Sequence, residues 1–272
     1  MRVTLLGTGD TTGTPVPGCS CATCQRARGT GVERSRFSVH VQNDETGESL
    51  LVDASPDFRS QFLDHEVPLP DAAVITHIHF DHLDGLGNVY RLLDHLDVHA
   101  ADELDPETGE SVADTIRRKY AYLDRIDVID HAPFESFRVA GFDVTLVPVD
   151  HPPLLSFGVL IEDDDSRLSI TGDTSFAIPE RSRERLAGPD LLLADGIVPA
   201  SFCVHHPLGG RHEDENGVPR TYGTKHMTRE GALDVARSLD AKRTRVVHAS
   251  HRYPVDEAFD EEIAVDGETV DL

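Results

Sequence analysis

At 272 residues the chain is long enough for one large domain or two small ones, with ample length for a core. It carries 49 Asp and Glu against 25 Lys and Arg, and only Lys119, Lys225 and Lys242 are lysines; the net charge of −24 opposes non-specific binding to nucleic acid or anionic membranes, because phosphate binding rests on basic groups. No apolar run reaches membrane-spanning length and residues 1–7 are too short for a signal peptide, so a cytoplasmic location is the default.

Residues 3–6 read as an opening strand, followed by the glycine-rich stretch 7–14. That stretch lacks the terminal Lys-Ser/Thr of a P-loop, so its expected role is close approach of backbone to a site. Next comes Gly18-Cys19-Ser20-Cys21-Ala22-Thr23-Cys24. Three thiols within six residues, in a chain without an export signal, argue for metal binding over disulfides. Residues 37–41 and 49–53 read as paired strands joined by a turn at 45–48, and 58–63 as a short amphipathic helix.

Residues 72–75 form a buried-strand signal, and Thr76-His77-Ile78-His79-Phe80-Asp81-His82 follows at once. Asp84-Gly85-Leu86-Gly87 then leads into a helical pattern at 89–93, so the cluster sits where a strand gives way to a helix. In extended backbone His77 and His79 point the same way, and the turn beyond lets Asp81 and His82 swing toward a second point. Imidazole and carboxylate together suit zinc, manganese or iron.

Residues 101–123 read as an acidic, helical surface. Strand signals return at 137–149 and run into Asp150-His151. Residues 157–161 and 168–170 read as a hairpin that ends at Asp173, and a helix near 179–186 precedes the apolar strand 191–194. Residues 205–224 read as a loop rich in Gly, Pro and His, of a length that is usually functional or mobile. A helix at 228–239 and a strand at 245–247 lead to His248-Ala249-Ser250-His251. Asp266-Gly267, between alternating residues of 263–270, reads as a closing hairpin. No linker divides the chain, so residues 1–272 are expected to form one domain. Asp53, the 77–82 cluster, His151, Asp173 and His248 all end apolar strand-like runs, as a site built on a layered α/β fold would.

In this order, Asp53, HxHxDH at 77–82, His151, Asp173 and His248 resemble the metallo-β-lactamase superfamily over nearly the whole chain. The resemblance implies a four-layer αββα sandwich with two divalent ions, Zn or Mn, between its sheets. It gives one ion to His77, His79 and His151, the other to Asp81, His82 and His248, and makes Asp173 the bridge. Asp53 would order the ligand loop without touching metal. Within the superfamily three features are similar to the PhnP-like phosphodiesterases, which hydrolyse phosphoribosyl cyclic phosphate: the GCxCxxC knuckle, the terminal His248-Ala249-Ser250-His251, and an isolated His226 before the last helix. That likeness implies a structural zinc on Cys19, Cys21, Cys24 and His251, and makes His226 the general acid. The chain departs from the pattern between Cys203 and Thr224, where extra Gly, Pro and His would form a pocket wall.

The expected function is a dinuclear metal phosphodiesterase acting on a small cyclic phosphate ester. A metal-bridging hydroxide would attack phosphorus in line, Asp81 and Asp173 would serve the metals, and His226 would supply the proton. A tRNA 3′-processing nuclease shares the motif but needs a basic surface or an RNA-gripping arm, neither visible in the sequence. Thioester hydrolysis of the glyoxalase II kind, and a non-catalytic carrier like those of quinone-cofactor biosynthesis, are the remaining alternatives. The partner expected is a small phosphate ester, with no membrane, nucleic acid disfavoured and a homodimer left open. Few lysines, many aspartates and no tryptophan fit a halophilic, high-salt cytoplasm, where salt screens self-repulsion.

Overall fold

The computed structural model describes residues 1–272, the side chains of Tyr90 and Arg91 excepted. Short runs of β-branched residues and leucine set the strands. β1 (Arg2–Gly7), β2 (Ser38–Gln42) and β3 (Ser49–Val52) pair antiparallel. β4 (Ala72–Val74), β5 (Leu96–Ala101) and β6 (Ile126–His131) then add in parallel. A second sheet opens as the antiparallel run β7 (Ser136–Val139), β8 (Phe142–Val149), β9 (Ser156–Glu162) and β10 (Arg167–Ile170). β11 (Leu191–Asp195) lies parallel to β10. β12 (Gly210–Glu213), β13 (Pro219–Tyr222) and β14 (His226–Met227) make a small third sheet. β15 (Thr244–Val247) joins β11, and β16 (Thr269–Asp271) joins the free edge of β1.

The helices are α1 (Ala22–Thr30), α2 (Phe58–His65), α3 (Phe80–Leu83), α4 (Val89–Leu92), α5 (Val112–Lys119), α6 (Glu180–Leu186) and α7 (Arg229–Ser238). α2 and α5 pack on the first sheet, α6 and α7 on the second. Both faces of β2 and β3 are therefore covered, which is why Val39, Leu50, Leu51 and Val52 run without polar alternation. One core joins Val39, Leu51 and Val98 of the first sheet to Leu146, Val159 and Leu193 of the second. The other seats Leu160, Leu192 and Val246 against Leu186, Ala232 and Val235 of α6 and α7. The result is a four-layer α/β/β/α sandwich. Among the described residues no helix is long and apolar enough to cross a membrane.

Four expectations from the sequence need correction. Residues 205–224 are not an irregular loop: they hold the hairpin of β12 and β13, closed by Asp214, whose carboxylate accepts from the Asn216 and Val218 N–H groups. Arg220 ties that hairpin to Asp214 and to Asp234 of α7. Residues 263–270 form no hairpin. The Asp266 carboxylate accepts instead from Thr8 N and Oγ1 and from Ser35 N, and the chain runs on to pair with β1. The 101–123 region is not all surface. α5 carries a Ser111–Asp114 capping box and buries Val112, Ala113 and Ile116. The glycine-rich stretch approaches backbone, not the site directly: Gly9 bridges to Arg36 and Ala249.

Candidate metal centres

The short strand β4 delivers the histidine-rich turn. Its backbone passes from Val74 through extended residues to His79, which caps α3, and Asp81 and His82 lie in that helix's first turn. Gly85 lets the next turn close on the loop after β3, since a Cβ there would lie 2.1 Å from the Ser55 carbonyl oxygen. Asp53 and His248 end their strands with φ of +59° each, a left-handed conformation that costs a non-glycine residue roughly 1–2 kcal/mol. Such strain clusters at functional sites.

Seven side chains meet where these strand ends converge. His77 Nε2 lies 3.0 Å from His79 Nδ1, and His151 Nε2 lies 3.3 Å from the same atom. Asp173 Oδ2 lies 3.6 Å from His77 Nε2, 3.3 Å from His82 Nε2 and 3.4 Å from His248 Nε2. Asp81 Oδ2 lies 3.6 Å from His82 Nε2 and 3.7 Å from His248 Nε2. Two ligands each about 2.1 Å from an ion stand about 3.4 Å apart across a tetrahedral edge, so these separations suit shared cations. Asp173 reaches members of both groups, the position a bridge needs. His82 Nε2 and His248 Nε2 are buried without a hydrogen-bond partner in the protein. The donor set and these orphaned atoms fit a pair of divalent ions.

Neighbouring groups fix the ligand nitrogens. Thr76 Oγ1 lies 3.0 Å from His77 Nδ1, and the Lys225 carbonyl accepts from His151 Nδ1. Asp53 Oδ2 accepts from His82 Nδ1 at 2.7 Å, while its carboxylate also accepts from Thr76 N and Oγ1. Each arrangement holds Nδ1 and leaves Nε2 to face the cluster, as outer partners of metal-binding histidines do. Burial pushes His77 below the usual histidine range and His151 down to about 4, which keeps them neutral, the form that binds metal. Burial also opposes charge on His82, but the Asp173 and Asp53 carboxylates outweigh it and raise it to about 10. Four buried carboxylates, Asp53, Asp81, Asp173 and Asp195, thus call for positive charge in this volume. Divalent cations would answer that demand.

His226 stands at the rim, on β14 rather than beyond a mobile loop as the sequence suggested. Its Nδ1 donates to Asp195 Oδ2 at 3.0 Å and lies 4.0 Å from Asp173 Oδ2. Its ring stacks on that of His248 at 5.0 Å between centroids. Asp195 is the residue that sequence reading passed over. It is buried, bonds the Thr174 N–H, and has its second oxygen 3.6 Å from His248 Nδ1. The signal was present: Asp195 ends the apolar strand β11, as Asp53 follows β3 and His248 follows β15.

A separate cluster lies at the start of α1. Cys19, Cys21 and Cys24 Sγ stand 3.5, 3.5 and 3.6 Å from His251 Nδ1. Sulfur at about 2.3 Å and nitrogen at about 2.1 Å from one zinc stand about 3.6 Å apart, so the four residues fit a closed tetrahedral site. The segment from His248 to His251 links the two clusters.

Residues 48–249 match the family model described as the beta-lactamase superfamily domain. A Porphyromonas gingivalis protein named octanoyltransferase is 28% identical over 264 residues, which cover 94% of this chain and 47% of that one. The chain thus spans about half the length of this relative. Among solved structures, a diphosphatase from the PhnP family superposes with a TM-score of 0.76 and 27% identity, covering 100% of this chain and 97% of the other. Zinc-bound PqqB from Methylobacterium extorquens superposes with a TM-score of 0.75 and 23% identity over 100% of both chains.

Proposed function

The chain belongs to the beta-lactamase superfamily, and from that membership we propose that it is a metal-dependent phosphodiesterase of the PhnP kind, acting on a small, cyclic phosphate ester. In this reading His77, His79 and His151 hold one divalent ion, Asp81, His82 and His248 the other, and Asp173 both. Such ions, Zn or Mn, supply Lewis acidity toward a phosphoryl group and make water more acidic. The observation that carries the reading is the His226–Asp195 pair at the rim of the ligand cluster. Asp195 fixes the ring of His226 through Nδ1, which leaves Nε2 to give a proton to the departing oxygen. Asp53 and Thr76 do not meet substrate; they hold His82 and His77 in register. Cys19, Cys21, Cys24 and His251 hold a third, structural zinc that joins α1 to the segment carrying His248.

The charge of −24 weighs against a nuclease reading. Hydrolysis of bis(p-nitrophenyl) phosphate tests enzyme against carrier. Protein loaded with Zn²⁺ or Mn²⁺ is expected to turn over and chelator-stripped protein is not. Fully loaded protein without turnover would overturn the proposal in favour of the carrier.

A further inference from the structure

The small sheet carries more than His226. Tyr222 and His226 are directly paired across β13 and β14, so their side chains rise from the same face. On that face the turn Ala200–His205 lies down beside Tyr222, with the Phe202 ring 6.2 Å and the His206 ring 4.6 Å from Tyr222. Gly223 permits this approach, because a Cβ there would lie 2.6 Å from the His206 ring. Thr221 and Met227, the neighbouring pair, point the other way into buried surroundings. Phe202, His206 and Tyr222 all remain partly exposed, although aromatic residues make up only 6% of the chain. The Arg252 guanidinium stands 5.6 Å from the Phe202 ring centre. Neither Arg252 nor Lys225, the residue before His226, forms an ion pair among the described residues, in a chain where most other cations do.

Resting on the phosphodiesterase reading, we propose that this face is a substrate subsite that stacks a planar heteroaromatic ring, of the nucleobase type, attached to the phosphate ester. Exposed rings beside a proton donor recognise a group one sugar away from the scissile bond by its π-face, which every base presents. The unpaired Arg252 and Lys225 add attraction for an anionic ester that the rest of the surface repels. Two of its rings, His206 and Tyr222, lie in the segment between Cys203 and Thr224, where the sequence departs from the PhnP-like pattern.

Binding to the metal-loaded protein tests this without turnover. Calorimetry with adenosine 5′-monophosphate and with ribose 5-phosphate is expected to show the base-bearing ligand bound about tenfold or more tightly, the range of one stacked base. Tyr222→Leu and Phe202→Leu should each bring that ratio toward one, with circular dichroism and metal content retained. Equal affinities in the natural protein, or an unchanged ratio in both variants, would overturn the subsite. The ratio of kcat/KM for adenosine 2′,3′-cyclic phosphate over ribose 2,3-cyclic phosphate should fall in parallel. Hydrolysis of neither ester would remove the phosphodiesterase reading, while the binding ratio would still decide the subsite.

Discussion

Asp195 accepts from His226 Nδ1 at 3.0 Å through one carboxylate oxygen and sets the other 3.6 Å from His248 Nδ1. A single buried carboxylate therefore addresses both the candidate proton donor and a candidate metal ligand. Its role toward His226 can be isolated with a double-mutant cycle. Asp195→Asn is expected to lower kcat on a cyclic ribose phosphate by about 10²-fold, within the range for general acid catalysis. Added to His226→Ala it should cost almost nothing more, because residues acting as one unit are not additive. Additive losses with metals retained would separate the two residues.

Cys21 both caps α1, accepting from Cys24 N, and stands among the thiols around His251. Cys21→Ser keeps a capping oxygen but removes a thiolate. Protein purified from zinc-containing medium should hold about three metals per chain, and this variant about two, with a lower melting temperature and its catalytic pair intact. Full metal content and unchanged melting would remove the structural zinc.

Asp173 reaches His77, His82 and His248 at once. Asp173→Ala should leave the far-ultraviolet circular dichroism unchanged and lose one or both ions together with phosphodiesterase turnover. Most of the turnover retained with two metals bound would contradict the bridging role.

Asp266 offers a pH test away from the metals. Burial outweighs its bonds from Ser35 and Thr8 and raises it to about 7, against about 3.9 for an unfolded chain. The folded state holds this proton more tightly, so the contribution to stability is full below about pH 4 and is lost as pH rises through about 7. The difference in urea midpoint between the natural protein and Asp266→Asn should therefore shrink from pH 5 to pH 8. Parallel curves would show that Asp266 titrates in its ordinary range.

The two-sheet frame was legible because its strands are apolar runs closed by polar residues, and the candidate ligands because histidine and aspartate stand at those ends. Asp195 obeyed the same rule and was missed because a lone aspartate after Leu191–Ala194 carries no motif of its own. The hairpin of β12 and β13 was not legible. Its strands are four residues each, and Arg211, His212 and Glu213 show no apolar alternation, so ion pairs to Asp214 and Asp234 hold them instead. The tail misled for the opposite reason. Asp266-Gly267 has hairpin chemistry, but the Thr8 and Ser35 donors claim the aspartate.

The most direct measurement concerns His226. It lies 4.0 Å from Asp173 and 3.0 Å from Asp195, close enough to be either a proton donor or a ligand. A general acid matters most when the leaving group is basic, as a ribose hydroxyl is and p-nitrophenolate is not. His226→Ala should keep its metals, lose kcat by about 10²–10⁴-fold on a cyclic ribose phosphate, and lose far less on bis(p-nitrophenyl) phosphate. Equal losses on the two substrates, or loss of metal, would contradict the account.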